Sequence, residues 1–213
     1  MPIDLTPEKG LIFRITHRDN IPWVLDHGLH CRSSKKVDPN FVQIGNPDLI
    51  DKRQDHPVAC PIGGTLSDYV PFYFTPKSPM LYNIKTGYNG IRQRSNDEIV
   101  MFVSSIHVLH KKEIRYTFTD RHAYLAMASF YTDPADLKSI DWKILRNHDF
   151  KRSADDLDKV ERYQAEALAY RHLPVDALLG IACHSNSEKD RLEGQLADRD
   201  LVMKVVVKPN WYF

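Results

Sequence analysis

A single glutamate, Glu166, stands between alanines in Q-A-E-A-L, just after a polar and highly charged stretch from Asp141 to Lys159. A lone carboxylate is ordinarily solvated, but the small neighbours leave room beside this one for a bulky ligand. Fixed in place, such a group stabilises developing positive charge or accepts a proton. Arg14, Thr16, His17 and Asn20 fall together in R-I-T-H-R-D-N. On residue type alone His17 is a helix-entry residue bonded to backbone, and Arg14 an exposed strand charge. Arg53, in I-G-N-P-D-L-I-D-K-R, reads by itself as a mobile surface arginine, with Lys52 beside it. The densest segment is Asp68 to Tyr82, D-Y-V-P-F-Y-F-T-P-K-S-P-M-L-Y, which crowds aromatics, prolines and a Met-Leu pair beyond ordinary amphipathic patterning. Other chemistries lack their motifs. There is no P-loop, no Gly-x-Gly-x-x-Gly, no nucleophile elbow and no paired Cys or His spacing for zinc.

These residues need elements to hold them. Leu11 to Thr16 reads as a strand, followed by a short helix from Ile21 to Asp26 capped by Asp19 and stopped by Gly28. The polar stretch from Cys31 to Leu66 carries repeated prolines and Gly63-Gly64, a loop long enough to cover a ligand. Tyr69 to Phe74 reads as a buried strand, bent or at a sheet edge because of Pro71. Ser78 to Lys85 reads as a short helix with Pro79 in its first turn, and Ile99 to Ser104 as a strand. Ala123 to Tyr131 is a helix candidate, and Arg162 to Tyr170 combines helical propensity with strand-like alternation. Leu178 to Cys183 and Leu201 to Lys208 read as strands around a helix at Ser187 to Ala197. The pattern predicts an α+β fold, and 213 residues suit one domain spanning 1–213.

Composition narrows the class. With 42% hydrophobic and 27% charged residues the chain is ordinary globular protein, and its longest apolar runs are too short to cross a bilayer. The N-terminal M-P-I-D-L-T-P-E-K-G lacks an export pattern. Cys31, Cys60 and Cys183, odd in number and scattered, suit reduced thiols in a cytoplasm. A formal net charge of +1 excludes a polycation, although a short single strand needs few phosphate contacts.

Three segments in order, R-I-T-H-R-D-N, V-P-F-Y-F-T-P-K-S-P-M-L-Y and R-Y-Q-A-E-A-L, resemble the DarT family of bacterial toxins, which move ADP-ribose from NAD onto bases of single-stranded DNA. The likeness runs from about Leu11 into Cys183 and includes E-I-V-M-F-V-S-S and T-F-T-D-R-H-A. It implies an ADP-ribosyltransferase-like fold, a strand-rich core split around an NAD cleft with peripheral helices. It further implies Glu166 as the catalytic carboxylate and Arg53 as a catalytic clamp on the NAD pyrophosphate. Arg14, Thr16, His17, Asn20 and Tyr73 would shape the cofactor pocket, while Lys77, Ser78, Met80 and His122 would line the DNA side. NAD is then a co-substrate and no metal is needed. The reaction class is glycosyl (pentosyl) transfer, with nucleotidyl transfer as a further label. Implied partners are single-stranded DNA and a macrodomain antitoxin that hydrolyses the adduct, with no membrane and a monomeric enzyme.

One region departs from the thymine-modifying branch. Where that branch carries a Tyr-Trp pair and a basic run, this chain reads N-H-D-F-K-R-S-A-D-D-L-D-K-V-E-R-Y-Q-A-E, which leaves thymine and guanine both open as acceptors. Rival readings are an enzyme of the same fold acting on RNA or protein, a plain NAD glycohydrolase, and a non-catalytic nucleic-acid or NAD-binding module.

Overall fold

The computed structural model describes residues 3–213; Met1 and Pro2, where the segment read for an export signal begins, lie outside them. In chain order the elements are β1 (Leu11–His17), α1 (Ile21–His27), β2 (Leu29–His30), α2 (Pro47–Gln54), β3 (Tyr69–Tyr73), α3 (Pro79–Thr86), β4 (Ile99–Ser105), α4 (Ile106–Lys111), β5 (Tyr116–Thr119), β6 (Phe130–Tyr131), α5 (Trp142–Arg146), α6 (Lys159–Arg162), β7 (Glu166–Tyr170), β8 (His172–Leu173), β9 (Gly180–Cys183), α7 (Asn186–Ala197) and β10 (Lys204–Val207). Eight strands form one sheet in the order β10-β9-β4-β1-β3-β7-β5-β6, and β2 pairs with β8 beside it.

The sheet is two ladders that barely meet. β1 and β4 pair along seven residues, and β3 and β7 along five, but β1 and β3 share one pair, Phe13 with Tyr73. Beyond that point the strands diverge, and Arg14 Nη1 spans the gap to donate to the Pro71 carbonyl at 2.9 Å. Of the two expectations for the Pro71 strand, bent or at a sheet edge, the edge fails, since β3 lies between β1 and β7. A strand residue points its N–H and C=O to the same side. The carbonyl of Pro71 faces the split, so the N–H it lacks would face the split too, where no ladder partner is missed.

Other elements also depart from the sequence reading. Asp19 does not cap α1: it lies inside a 3-10 turn, Arg18–Asn20, whose cap is His17 Nδ1 accepting from the Asp19 N–H at 3.3 Å. The Cys31 to Leu66 segment holds a helix, α2, capped by Asn46 with Pro47 in its first turn. Asp141 to Lys159 holds α5, capped by Asp141. Ala123 to Tyr131 is not helical: its backbone closes two separate turns, the Leu125 N–H donating to the His122 carbonyl and the Ala128 N–H to the Leu125 carbonyl, and Phe130–Tyr131 pair with β5. Between Arg162 and Tyr170 alternation prevails over helical propensity from Glu166 onward, because Ala167, Leu168 and Ala169 are buried between layers. The parallel pair β9–β10 with α7 as its crossover matches expectation.

Candidate active site

The divergence of β1 from β3 opens a cleft of about 370 Å³, within the range of small-molecule sites. Arg14, Thr16, Asn20, Arg53, Tyr73, Met80, His122 and Glu166 all line it. Its floor comes from strand ends and its cover from the 31–66 segment. Asn20 joins the two. Its Nδ2 donates to Thr16 Oγ1 at 3.0 Å and to the Val42 carbonyl at 2.9 Å, and its Oδ1 accepts from the Val42 N–H at 2.8 Å. A buried asparagine thus pins the covering segment to the end of β1, and α2 within that segment aims Arg53 inward.

Glu166 opens β7 opposite Tyr73 of β3 and is 2% exposed. Arg53 meets it with both fork nitrogens, Nη1 to Oε1 at 2.9 Å and Nη2 to Oε2 at 2.8 Å. The Ala123 N–H donates to Oε1 at 3.1 Å, and His122 Nε2 lies 3.8 Å from the same oxygen. Thr119 Oγ1 accepts from the Glu166 N–H at 3.2 Å, fixing the backbone under the carboxylate. Burial pushes the Glu166 carboxyl up, but the Arg53 guanidinium, with the Ala123 N–H, outweighs it, so it stays below the ordinary carboxylate value. Burial works against the Arg53 guanidinium too, yet Glu166 holds it above its usual value. The His122 imidazole is lowered, first by burial and then by Arg53, and is neutral at pH 7. Burial and the Glu166 charge push the Tyr73 hydroxyl well above the ordinary phenol.

Arg14 points into the same space. Burial lowers its guanidinium to about 10, and its Nε is a buried donor with no partner. With Arg53, it gives the cleft two guanidinium groups beside one carboxylate, a donor set that fits a ligand with phosphate oxygens and a ribose. No cluster of three or more His, Cys, Asp or Glu side chains placed to hold a metal ion occurs among the described residues.

Three of the expected site residues lie elsewhere. His17 turns to the opposite face of β1, where its Nε2 sits 3.6 Å from Glu98 Oε1. Ser78 is buried as the cap of α3, accepting from the Leu81 N–H at 3.2 Å. Lys77 leans over the Phe213 ring, with Nζ 5.3 Å from its centroid. None of the three is among the residues lining the cleft. Ala123, Thr119 and Val42 contribute through backbone or short side chains and carried no sequence signal. Trp23 and Phe41 line the cleft as well, and Phe41 stays 52% exposed although apolar, an anomaly visible only once the cover is placed.

The sequence profile described as "ssDNA thymidine ADP-ribosyltransferase, DarT" matches residues 13–213. Over 209 residues the chain is 51% identical to the DNA ADP-ribosyl transferase of Escherichia coli O127:H6 (strain E2348/69 / EPEC), covering 98% of this chain and 96% of that relative. The structure of Thermus sp. 2.9 DarT in complex with ADP-ribosylated ssDNA is similar with a TM-score of 0.87 at 31% identity, covering 100% of both chains. The same Thermus protein in complex with NAD+ gives 0.83 at 31% identity, covering 97% of this chain and 99% of that one. A sheet split around a buried carboxylate–arginine pair, with these similarities, defines an NAD-dependent ADP-ribosyltransferase. The chain belongs to the DarT family of DNA ADP-ribosyltransferases. Its reaction class is glycosyl transfer, because the bond broken joins nicotinamide to the ribose anomeric carbon. The nucleotidyl-transfer label, which requires reaction at phosphorus, does not apply.

Proposed function

We propose that this chain transfers ADP-ribose from NAD to thymine in single-stranded DNA, with Glu166 as the catalytic carboxylate. The observation that carries the roles is the bidentate, buried Arg53–Glu166 pair at the floor of the cleft. Arg14 and Arg53 bind the NAD pyrophosphate, and Thr16, Asn20 and Tyr73 shape the pocket around the nicotinamide riboside. A pyrophosphate competing for Arg53 loosens its hold on Glu166. The carboxylate then accepts a ribose hydroxyl hydrogen bond and faces the anomeric carbon. As the glycosidic bond breaks, its electron pair leaves with nicotinamide, and the ribose gains oxocarbenium character that the fixed anion stabilises in the transition state. In thymidine N3 is the one ring nitrogen bearing hydrogen. It bonds to the anomeric carbon, and its proton passes to Glu166 as general base. Neutral His122, beside Glu166, and Met80, across the cleft, hold the unstacked base.

Thymine rather than guanine follows the description of the matching family profile, which names thymidine. The enzyme acts as one domain and a monomer in the cytoplasm, as a toxin whose adduct a macrodomain antitoxin removes. Among the described residues no helix is long and apolar enough to cross a membrane. The test is incubation with NAD and four short single-stranded oligonucleotides, each lacking one base, read by intact mass beside Glu166→Ala. An ADP-ribose increment missing from the thymine-free strand alone, and absent with the variant, is the expected result. An increment missing from the guanine-free strand would reassign the base. Its absence from all four strands despite NAD consumption would refute transfer to DNA.

A further inference from the structure

Outside the cleft a second cluster of aromatic rings reaches the surface. Tyr82 of α3, Phe150 and Phe213 meet edge-on, with centroids 5.8 Å apart for Tyr82–Phe150, 5.4 Å for Tyr82–Phe213 and 5.9 Å for Phe150–Phe213. The cluster is not closed over: Tyr82 remains 41% exposed, and Phe150 and Phe213 are half-buried. Lys77 Nζ stands at its edge, over Phe213. Lys151 and Arg152 follow Phe150 in sequence and are exposed. None of these three cations forms an ion pair among the described residues, whereas the nearby carboxylate of Asp149 is neutralised by Lys159 at 2.9 Å. A partly exposed tyrosine ring in an aromatic cluster, with Lys77 at its edge and two further exposed cations next in sequence to Phe150, has the composition of a single-strand stacking site, where bases stack on aromatics and lysines meet phosphates.

The cluster also connects to the reacting centre. Phe150 packs against Tyr163 at 5.1 Å, and the Tyr163 hydroxyl donates to the Lys77 carbonyl at 3.0 Å. Tyr163 precedes Glu166 by three positions. On the other side α3 carries Met80 into the cleft and Tyr82 onto the cluster. One helix, about 10 Å across, therefore separates the two, a span that a short length of extended strand covers.

We infer that Tyr82, Phe150 and Phe213, with Lys77 at their edge, form a stacking subsite for a nucleotide flanking the modified base in single-stranded DNA. This rests on the reading of the chain as a DNA-modifying enzyme. It gives the aromatic and basic residues after Tyr73 and before Glu166 a shared role. It also places Lys77 on DNA at a site distinct from the base pocket.

The test compares wild type, Tyr82→Ala and Tyr82→Trp on thymine-containing oligonucleotides of increasing length, with NAD affinity by calorimetry as the control for folding. In wild type KM for the oligonucleotide should fall once the strand is long enough to reach the cluster. In Tyr82→Ala that gain disappears, KM on the long strand rises about tenfold, the effect of one lost stack, and NAD affinity stays unchanged. Tyr82→Trp, which keeps a ring face, restores the length dependence. Equal KM for wild type and Tyr82→Ala at every length would overturn the subsite. Were that equality joined to a loss of self-association in sedimentation, it would reassign the rings to a contact between copies. Failure of wild type to modify any strand is a separate result, since it strikes the DNA reading itself.

Discussion

Glu166 and Arg53 form one ion pair that fixes the resting state of the cleft and, in the proposed reaction, its chemistry. A buried carboxylate alone would drift upward in pKa and protonate; the guanidinium fork prevents this and holds the anion in one orientation. Glu166→Gln keeps the shape but removes the charge that, in the proposed reaction, faces the oxocarbenium, and its amide nitrogen can no longer accept one arm of the Arg53 fork. Transfer should fall by at least about 10²-fold, in line with loss of a preorganised transition-state group, while NAD affinity changes little. Rates from quantitative mass spectrometry, alongside calorimetric NAD binding, check this. A second expectation concerns pH. In the wild type the folded-state pKa of Glu166 lies below its ordinary 4.5. The pair's contribution to stability is therefore complete above 4.5 and is lost as pH falls through the lower folded value. In Arg53→Gln burial remains while its largest opponent is gone, so the carboxyl moves upward. The acid limb of the kcat/KM profile for NAD should then shift toward neutral pH. An unmoved limb would mean that Arg53 does not govern the ionisation of Glu166.

At the scale of elements, strands that bury their side chains and carry clear alternation were legible in the sequence, β1, β4 and the β9–α7–β10 unit, as was α3, with Pro79 in its first turn. Misreadings fell where tertiary pairing overrides local composition. Ala123 to Tyr131 has helical composition, but its chain closes single turns and then pairs with β5. Pro71 suggested an edge because no local pattern announces a sheet that splits. Glu166, Arg53 and Arg14 were marked by residue type and family likeness, whereas Lys77 and Ser78 shared a motif with Met80 yet turn to other faces. The loop ahead of Glu166 depends on a feature with no motif at all. Arg162 ties Asp156 at 2.9 Å, Asp141 at 3.3 Å and Asp158 together. Arg162→Ala should free this loop and raise the oligonucleotide KM severalfold while leaving NAD affinity intact; parallel losses in both would place Arg162 in general folding instead. Gly28 is the conformational counterpart. At φ +76° an added Cβ would come within 2.5 Å of His172 Nε2 and the Leu173 carbonyl. Gly28→Ala should cost more than about 1 kcal/mol and lower the melting temperature by at least a few degrees in a thermal scan.

On the whole molecule, a formal net charge of +1 limits how the enzyme meets a polyanion. Long-range attraction is weak, so affinity for a strand must come from local contacts: a base held in the cleft, aromatic faces beside it, and a few cations without partners of their own. Many of the other basic groups already have carboxylate partners within the chain. Arg199 is paired with Asp26, Arg171 with Asp68, Lys112 with Asp176, and Arg191 with Glu188. Each phosphate contact to a single strand adds about 0.7 to the slope of log affinity against log salt. A protein gripping DNA through Lys77, Lys151 and Arg152 should therefore show a slope no steeper than about −2, whereas a polycationic binder would be much steeper. Aromatic stacking is insensitive to salt, so Tyr82→Ala should weaken binding equally at low and high salt, and Lys77→Gln should flatten the slope by about 0.7. Titration of a fluorescent thymine-containing oligonucleotide over a range of salt measures both. A steep wild-type slope untouched by Lys77→Gln would move the electrostatic contact to another face, such as the Arg115 end of the sheet, and separate it from the strand's path past α3.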